Sequence, residues 1–205
     1  MTQRIATVAV AIALLVTVAT AADNEFISTW KAPGAKPLQF AGRKVAAVVM
    51  VDDLSLQMSA EEALAREISA RGPVGIASYR IVPREDLANK DRAKTWFEKQ
   101  NVQGLVVMRI VETDKQKVYS SMVWTSVYYS SAWDYYGYGW ANVVPIGKGR
   151  TQTTVTVETL LYDLSTGGPV WAGVTRTVDP KDTGSFMKAL AKDVVGQLKK
   201  AGLTQ

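Results

Sequence analysis

The stretch Arg43–Asp53, "RKVAAVVMVDD", decides the fold. From Val45 to Val51 it is almost unbroken apolar sequence, and it stops at Asp52 and Asp53. A strand with one wet face alternates polar and apolar residues, whereas one covered on both faces does not. The run is therefore read as a central strand of a sheet with helices on both sides.

Outward from it, the pattern repeats. Ser59 and Glu62 have the spacing of a capping box, in which each side chain satisfies a free amide of the first helical turn. The helix "AEEALAREISAR" then places Ala60, Leu64 and Ile68 on one face and ends at Gly72. "GIASYRIV" reads as a second strand, Asp91 as the cap of the helix "RAKTWFEKQN", and "GLVVMRIVE" as a third strand. Strand, helix, strand, helix, strand is the order that yields parallel neighbours covered by helices. After Glu112 the period changes to long alternating segments, "KVYSSMVWTSVYY", "TQTTVTVETLLYDL" and "PVWAGVTRTV". "DLSTGGP" joins the last two as a hairpin turn, with Gly167 and Gly168 supplying permissive backbone. A terminal helix carries Phe186, Leu190, Val194 and Leu198 as an apolar stripe. The expected fold is a single α/β sandwich over residues 43–205, with a mixed sheet of five to six strands and a C-terminal covering helix.

Two segments precede that domain. Residues 22–42 carry two prolines and read as an extended lead-in, with Trp30 tucked onto the domain. Residues 1–21 have the order of a secretory signal peptide: Arg4, an apolar run from Ile5 to Val18, and Ala19-Thr20-Ala21 as a small-x-small cleavage site. An uncleaved anchor is the competing reading, although the apolar run is short for a span of roughly 20 residues. The expected location is the periplasm or the exterior. The chain has no cysteine, so neither a disulfide nor a lipidated cysteine can form. Once Arg4 is removed, basic residues exceed acidic ones by four, spread along the chain. Without a basic block or a known motif, nucleic acid is not an expected partner.

Histidine is absent as well. That excludes Ser-His-Asp and Cys-His catalysis and the common thiolate or imidazole zinc sites. "GYG" at Gly137–Gly139 and "GKG" at Gly147–Gly149 lack the spacing of a dinucleotide or P-loop fingerprint. Carboxylates remain. Asp52 and Asp53 sit where the first strand should end, the edge at which open α/β sheets bind ligands. Glu158 and Arg109 each fall inside a strand, where they either face water or pair with each other across the sheet; a structural pair is preferred to a general acid and base. A carboxylate-dependent hydrolase of cell-wall glycan is the competing reading from another class, and it would need Asp52, Asp53 or Glu158 to converge in one cleft. No catalytic residue, metal or cofactor is assigned.

The segment "SSAWDYYGYGW", Ser130–Trp140, carries five rings and two glycines in eleven residues. It lies in a connection, 130–149, that is long for a hairpin. Trp133, Tyr135, Tyr136, Tyr138 and Trp140 are the candidate partner-binding residues, since Tyr and Trp combine a broad apolar face with a polar handle. Four uses compete: anchoring a protein partner, stacking on peptidoglycan or another glycan, dipping into a membrane surface, or covering the domain's own apolar surface.

"VETLLYDLSTGGPVWAGVTRTVDP" is similar to the C-terminal half of a group of bacterial envelope proteins, many of them lipoproteins, that form a domain family of unknown function. The carrying residues are Glu158, Tyr162-Asp163, Thr166-Gly167 and Val170-Trp171-Ala172-Gly173, preceded by the Tyr- and Gly-rich "WDYYGYGW". "KVAAVVMVDD…AEEALAREIS", "SYRIVP" and "GLVVMRIV" resemble the α/β core shared by the N-terminal domain of the Tol-system translocation protein and the lipoproteins that activate penicillin-binding proteins. The resemblance implies a non-enzymatic envelope module that docks onto other machinery. It carries over no catalytic residue, and the missing cysteine departs from the lipoprotein members.

Overall fold

The structure is a computed structural model that describes residues 24–111, 124, 126, 129–144, 154–178, 180 and 182–205. The expected signal peptide lies outside these residues. No helix among the described residues is long and apolar enough to cross a membrane.

One mixed sheet of six strands organises the domain. In chain order the elements are β1 (Glu25–Lys31), β2 (Lys44–Met50), α1 (Leu54–Ser69), β3 (Val74–Ala77), α2 (Lys90–Lys99), β4 (Gly104–Val111), α3 (Ala132–Ala141), β5 (Thr154–Asp163), β6 (Pro169–Val178) and α4 (Thr183–Lys200). The strand order is β1-β6-β5-β4-β2-β3. β2 pairs in parallel with both β3 and β4, and every other pairing is antiparallel. α1 carries the chain from β2 out to β3, and α2 carries it from β3 back across β2 to β4. The direction of strand addition therefore reverses between β2 and β4, which places the sheet's switch point at the C-terminal ends of these two strands.

As the apolar run requires, β2 is covered twice. Val45, Ala47 and Val49 face α1 and α4, where Leu64, Ile68, Leu190, Val194 and Leu198 are buried. Ala46, Val48 and Met50 face the opposite layer, with Ala93 and Phe97 of α2 and Tyr135 and Tyr136 of α3. Each fully buried valine, leucine, isoleucine, methionine or phenylalanine among them contributes about 1.5–3 kcal/mol. α1 lies hard against β3: a Cβ on Gly75 would fall on the Ala65 carbonyl oxygen.

Several local expectations are corrected. α1 begins at Leu54, capped by Asp53, whose Oδ1 accepts from the Leu56 amide at 2.9 Å. Ser59 and Glu62 are therefore inside the helix, and Glu62 accepts from the Tyr79 hydroxyl and Arg80. Asn89, not Asp91, caps α2. The second strand is only Val74–Ala77, because Ser78–Arg80 tighten into a 3₁₀ turn. The cause is Glu61, a buried carboxylate that draws the Ser78 hydroxyl (2.7 Å) and the Tyr79 amide (2.9 Å) toward α1. The lead-in contributes a strand: β1 joins the sheet edge beside β6, with Trp30 opposite Ala172. The alternating segment after Glu112 lies outside the described residues except for Trp124, Ser126 and Tyr129.

Candidate functional site

Register across the sheet brings the two mid-strand charges together. Arg109 on β4 and Glu158 on β5 are direct cross-strand partners. Both side chains point into the layer beneath α2 and α3, with side-chain exposures of 3% and 0%. Arg109 Nη2 donates to Glu158 Oε2 at 2.8 Å. Tyr135 donates to the same oxygen at 3.2 Å, and Tyr129 to Oε1 at 3.0 Å. The Arg109 guanidinium also lies 5.0 Å from the centroid of the Tyr138 ring. A buried charge is tolerated only when paired and hydrogen-bonded, and each charge here is both. Burial alone would lower the Arg109 pKa, but Tyr135 and Glu158 more than offset it, so Arg109 is held firmly charged. Burial and then the Glu158 charge push the Tyr135 hydroxyl well above its ordinary range, keeping it a neutral donor.

The aromatic segment supplies the lid of this cluster. The expected connection 130–149 is helical over Ala132–Ala141, capped by Ser131, whose hydroxyl accepts from the Asp134 amide at 3.3 Å. Residues 145–149 of the expected connection lie outside the described residues. Two glycines inside a helix cost about 1 kcal/mol each relative to alanine. At Gly139 the reason is proximity rather than flexibility: a Cβ would fall on Met50 Sδ, with Arg109 Cδ 3.3 Å away. The glycine lets α3 settle directly onto β2 and the ion pair.

This geometry divides the five candidate residues. Tyr135 and Tyr136 are completely buried and cannot face a partner. The helical period turns them toward the sheet, where Tyr135 reaches Glu158 and Tyr136 donates to the Leu87 carbonyl at 2.9 Å. Burial pushes the Tyr136 hydroxyl above its usual pKa. Trp133, Tyr138 and Trp140 are half-buried. Trp133 and Trp140 are seven residues apart, about 10 Å along the helix axis, and open into different clefts. Trp140 borders a cleft of about 250 Å³ with Val51, Asp52, Leu54, Leu87 and Val143, at the switch point of the sheet. Trp133 borders one of about 600 Å³ at the other end of α3, with Arg43, Lys94, Glu98, Asn101 and Gln103.

The candidate carboxylates have separate uses: Asp53 caps α1, Glu158 is paired with Arg109, and Asp52 lines the Trp140 cleft. Among the described residues, no group of three or more acidic side chains is placed to hold a metal. Sequence reasoning missed Glu61, which accepts from the Val49 amide, Gln57, Ser78 and the Tyr79 amide. Its spacing with Leu64, Ala65 and Ile68 put it on the apolar face of α1, which was the available signal.

No family model matches the chain, and no curated protein does. Among solved structures, a PelC dodecamer from Paraburkholderia phytofirmans carrying a leucine-to-methionine substitution aligns at 16% identity and a TM-score of 0.46, covering 82% of this chain and 94% of that one. A second PelC dodecamer from the same organism aligns at 14% identity and 0.44, with the same coverage. Likenesses this distant carry no argument about what the chain does.

Proposed function

We propose that the chain is a non-enzymatic, exported envelope protein that acts as a protein-interaction module, docking through the Trp140 end of α3. The observation carrying this is the division of the aromatic segment. Part of it seals the Arg109–Glu158 pair, and Trp140 is left beside an apolar notch formed by Val51, Leu54, Leu87 and Val143, rimmed by Asp52 and Arg84. A half-open tryptophan in an apolar notch with a polar rim has the anatomy of an interface hot spot. The position also fits, since open α/β sheets receive ligands at their switch point. The non-enzymatic reading is supported by the engagement of Glu158 and Asp53 in structural bonds. Export is supported by the residue order of the first 21 positions.

Affinity purification from crosslinked envelopes, with wild type and Trp140→Ala side by side, tests the proposal. Wild type should recover one specific protein in near-stoichiometric amount, and the variant should lose it while melting as wild type does. Equal recovery by both, or recovery of nothing by wild type, would overturn it. Fractionation checks export separately: the mature chain should start at Ala22 and partition outside the cytoplasm.

A further inference from the structure

We infer that the cleft at the opposite end of α3, beside Trp133, is a binding site for a short stretch of uncharged glycan. The inference is independent of the Trp140 notch. Four parts of the chain wall this cleft: Arg43 before β2, α2 with the turn that follows it, the β5–β6 hairpin, and Trp133. At about 600 Å³ it is within the range of small-ligand sites.

Trp133 gives the cleft an aromatic wall that is packed against other rings on its inner side. Trp133 is half-buried, with Phe97 at 5.9 Å and Tyr136 at 6.0 Å between ring centroids. A ring fixed on one side and open on the other offers its electron-rich face to C–H groups, which carry partial positive charge, and a pyranose presents an array of axial C–H bonds on one side. The other walls supply the second half of the recognition. The side-chain amides of Asn101 and Gln103 have no hydrogen-bond partner among the described residues, and each amide both donates and accepts.

The backbone that carries those amides is fixed. Asn101 has a left-handed backbone, φ 53°, in a turn closed by its amide on the Glu98 carbonyl at 2.9 Å. Gln103 is tied by its backbone to Lys44 at 2.9 Å and to Leu164 at 3.0 Å. The charges on the rim do not select an ion. Arg43 approaches Asp163 at 3.6 Å, and Lys94 and Glu98 are loosely paired at 3.9 Å. A cleft of mixed donors and acceptors around an open ring matches hydroxyl groups, which donate and accept from one atom. A phosphate or an acidic peptide would need an excess of unpaired cations, and an apolar ligand would leave the amides unsatisfied.

Calorimetric titration and tryptophan fluorescence of the full chain against two soluble probes, β-1,4-linked tetramers of glucose and of N-acetylglucosamine, test the site. At least one should bind saturably with quenching. Trp133→Ala and the double variant Asn101→Gly/Gln103→Ala, whose glycine suits the left-handed backbone at 101, should each weaken it by about tenfold or more. Trp133→Phe, which keeps a ring against Phe97, should retain most of the affinity, and Trp140→Ala should be unchanged. The double variant alters exposed or half-exposed side chains and guards against loss of folding in Trp133→Ala. No saturation by either probe up to about 10 mM would overturn the inference. So would full affinity in both the Trp133→Ala and the double variant, or tighter binding of inorganic phosphate or an acidic peptide than of either sugar.

Discussion

Arg109 and Glu158 face each other directly across β4 and β5, 2.8 Å apart, with a tyrosine hydroxyl on each carboxylate oxygen. In that environment the pair is a packing element, and removing one member strands the other charge. Arg109→Ala or Glu158→Ala should each cost about 3–5 kcal/mol by denaturant unfolding, whereas Arg109→Met with Glu158→Leu should recover much of the loss. A single variant with unaltered stability would show that the pair is wetter than the burial implies, and would reopen Glu158 as a chemical group.

The two glycines of α3 should behave oppositely. Gly137 approaches only the flexible Lys90 side chain, at 3.2 Å to Cδ, so Gly137→Ala should be neutral or stabilising by up to about 1 kcal/mol through helix propensity. Gly139→Ala drives a methyl into Met50 Sδ and should cost about 1–3 kcal/mol as overpacking does. Thermal melts of the two variants check this, and similar melting points would mean that α3 is free to lift off the sheet.

Architecture was legible in the sequence wherever periodicity governed it. β2 and the stripe on α4 follow from apolar patterning alone, whereas two charges inside strands named Arg109 and Glu158 as one possible pair that only the strand register decides. The caps were misread because Asp53 and Asn89 satisfy the first helical turn as well as Ser59 and Asp91 would, and nothing local ranks them. The short second strand depended on Glu61, whose pull on Ser78 and Tyr79 crosses 17 and 18 residues of chain. The aromatic segment misled for a related reason. Its two glycines made a loop the natural reading, but Gly139 is set by what lies beneath it, which only the packed sheet reveals. That same packing decides which rings are buried and which remain open.

Glu61 is a buried acid held by four donors. Burial raises its pKa above the usual 4.5, and the bonds from Ser78, Gln57, Tyr79 and Val49 only partly oppose this. A carboxyl whose folded pKa is raised contributes its full stability below the unfolded value and loses part of it as pH rises through the folded one. In Glu61→Gln the new amide turns a donor toward at least one donor, so the variant should be less stable by about 1–3 kcal/mol. The gap should narrow as pH rises from 4 to 7, as measured by urea unfolding at each pH. A gap that widens over that interval would mean that the four donors outweigh burial.

Asp163 should show the opposite dependence. It stands at the start of the β5–β6 hairpin, where Oδ1 accepts from the Ser165 amide at 2.9 Å and the Ser165 hydroxyl at 2.6 Å. Its other oxygen accepts from Gln39 at 2.6 Å and lies 3.6 Å from Arg43, tying the hairpin to the segment before β2. Burial would raise this carboxyl, but the Ser165 bonds, Gln39 and Arg43 outweigh it and leave the pKa below 3.8. Its stabilisation is therefore complete above that value and is lost as pH falls through the folded pKa. Asp163→Asn points a donor at Gln39 and Arg43 and should cost about 1–3 kcal/mol at neutral pH. The difference from wild type should close only below about pH 4, since protonation removes from the wild type what the substitution has already removed. A deficit that persists unchanged to pH 2.5 would mean that the hairpin is held by its backbone turn at Gly167, φ +75°, and not by the carboxylate.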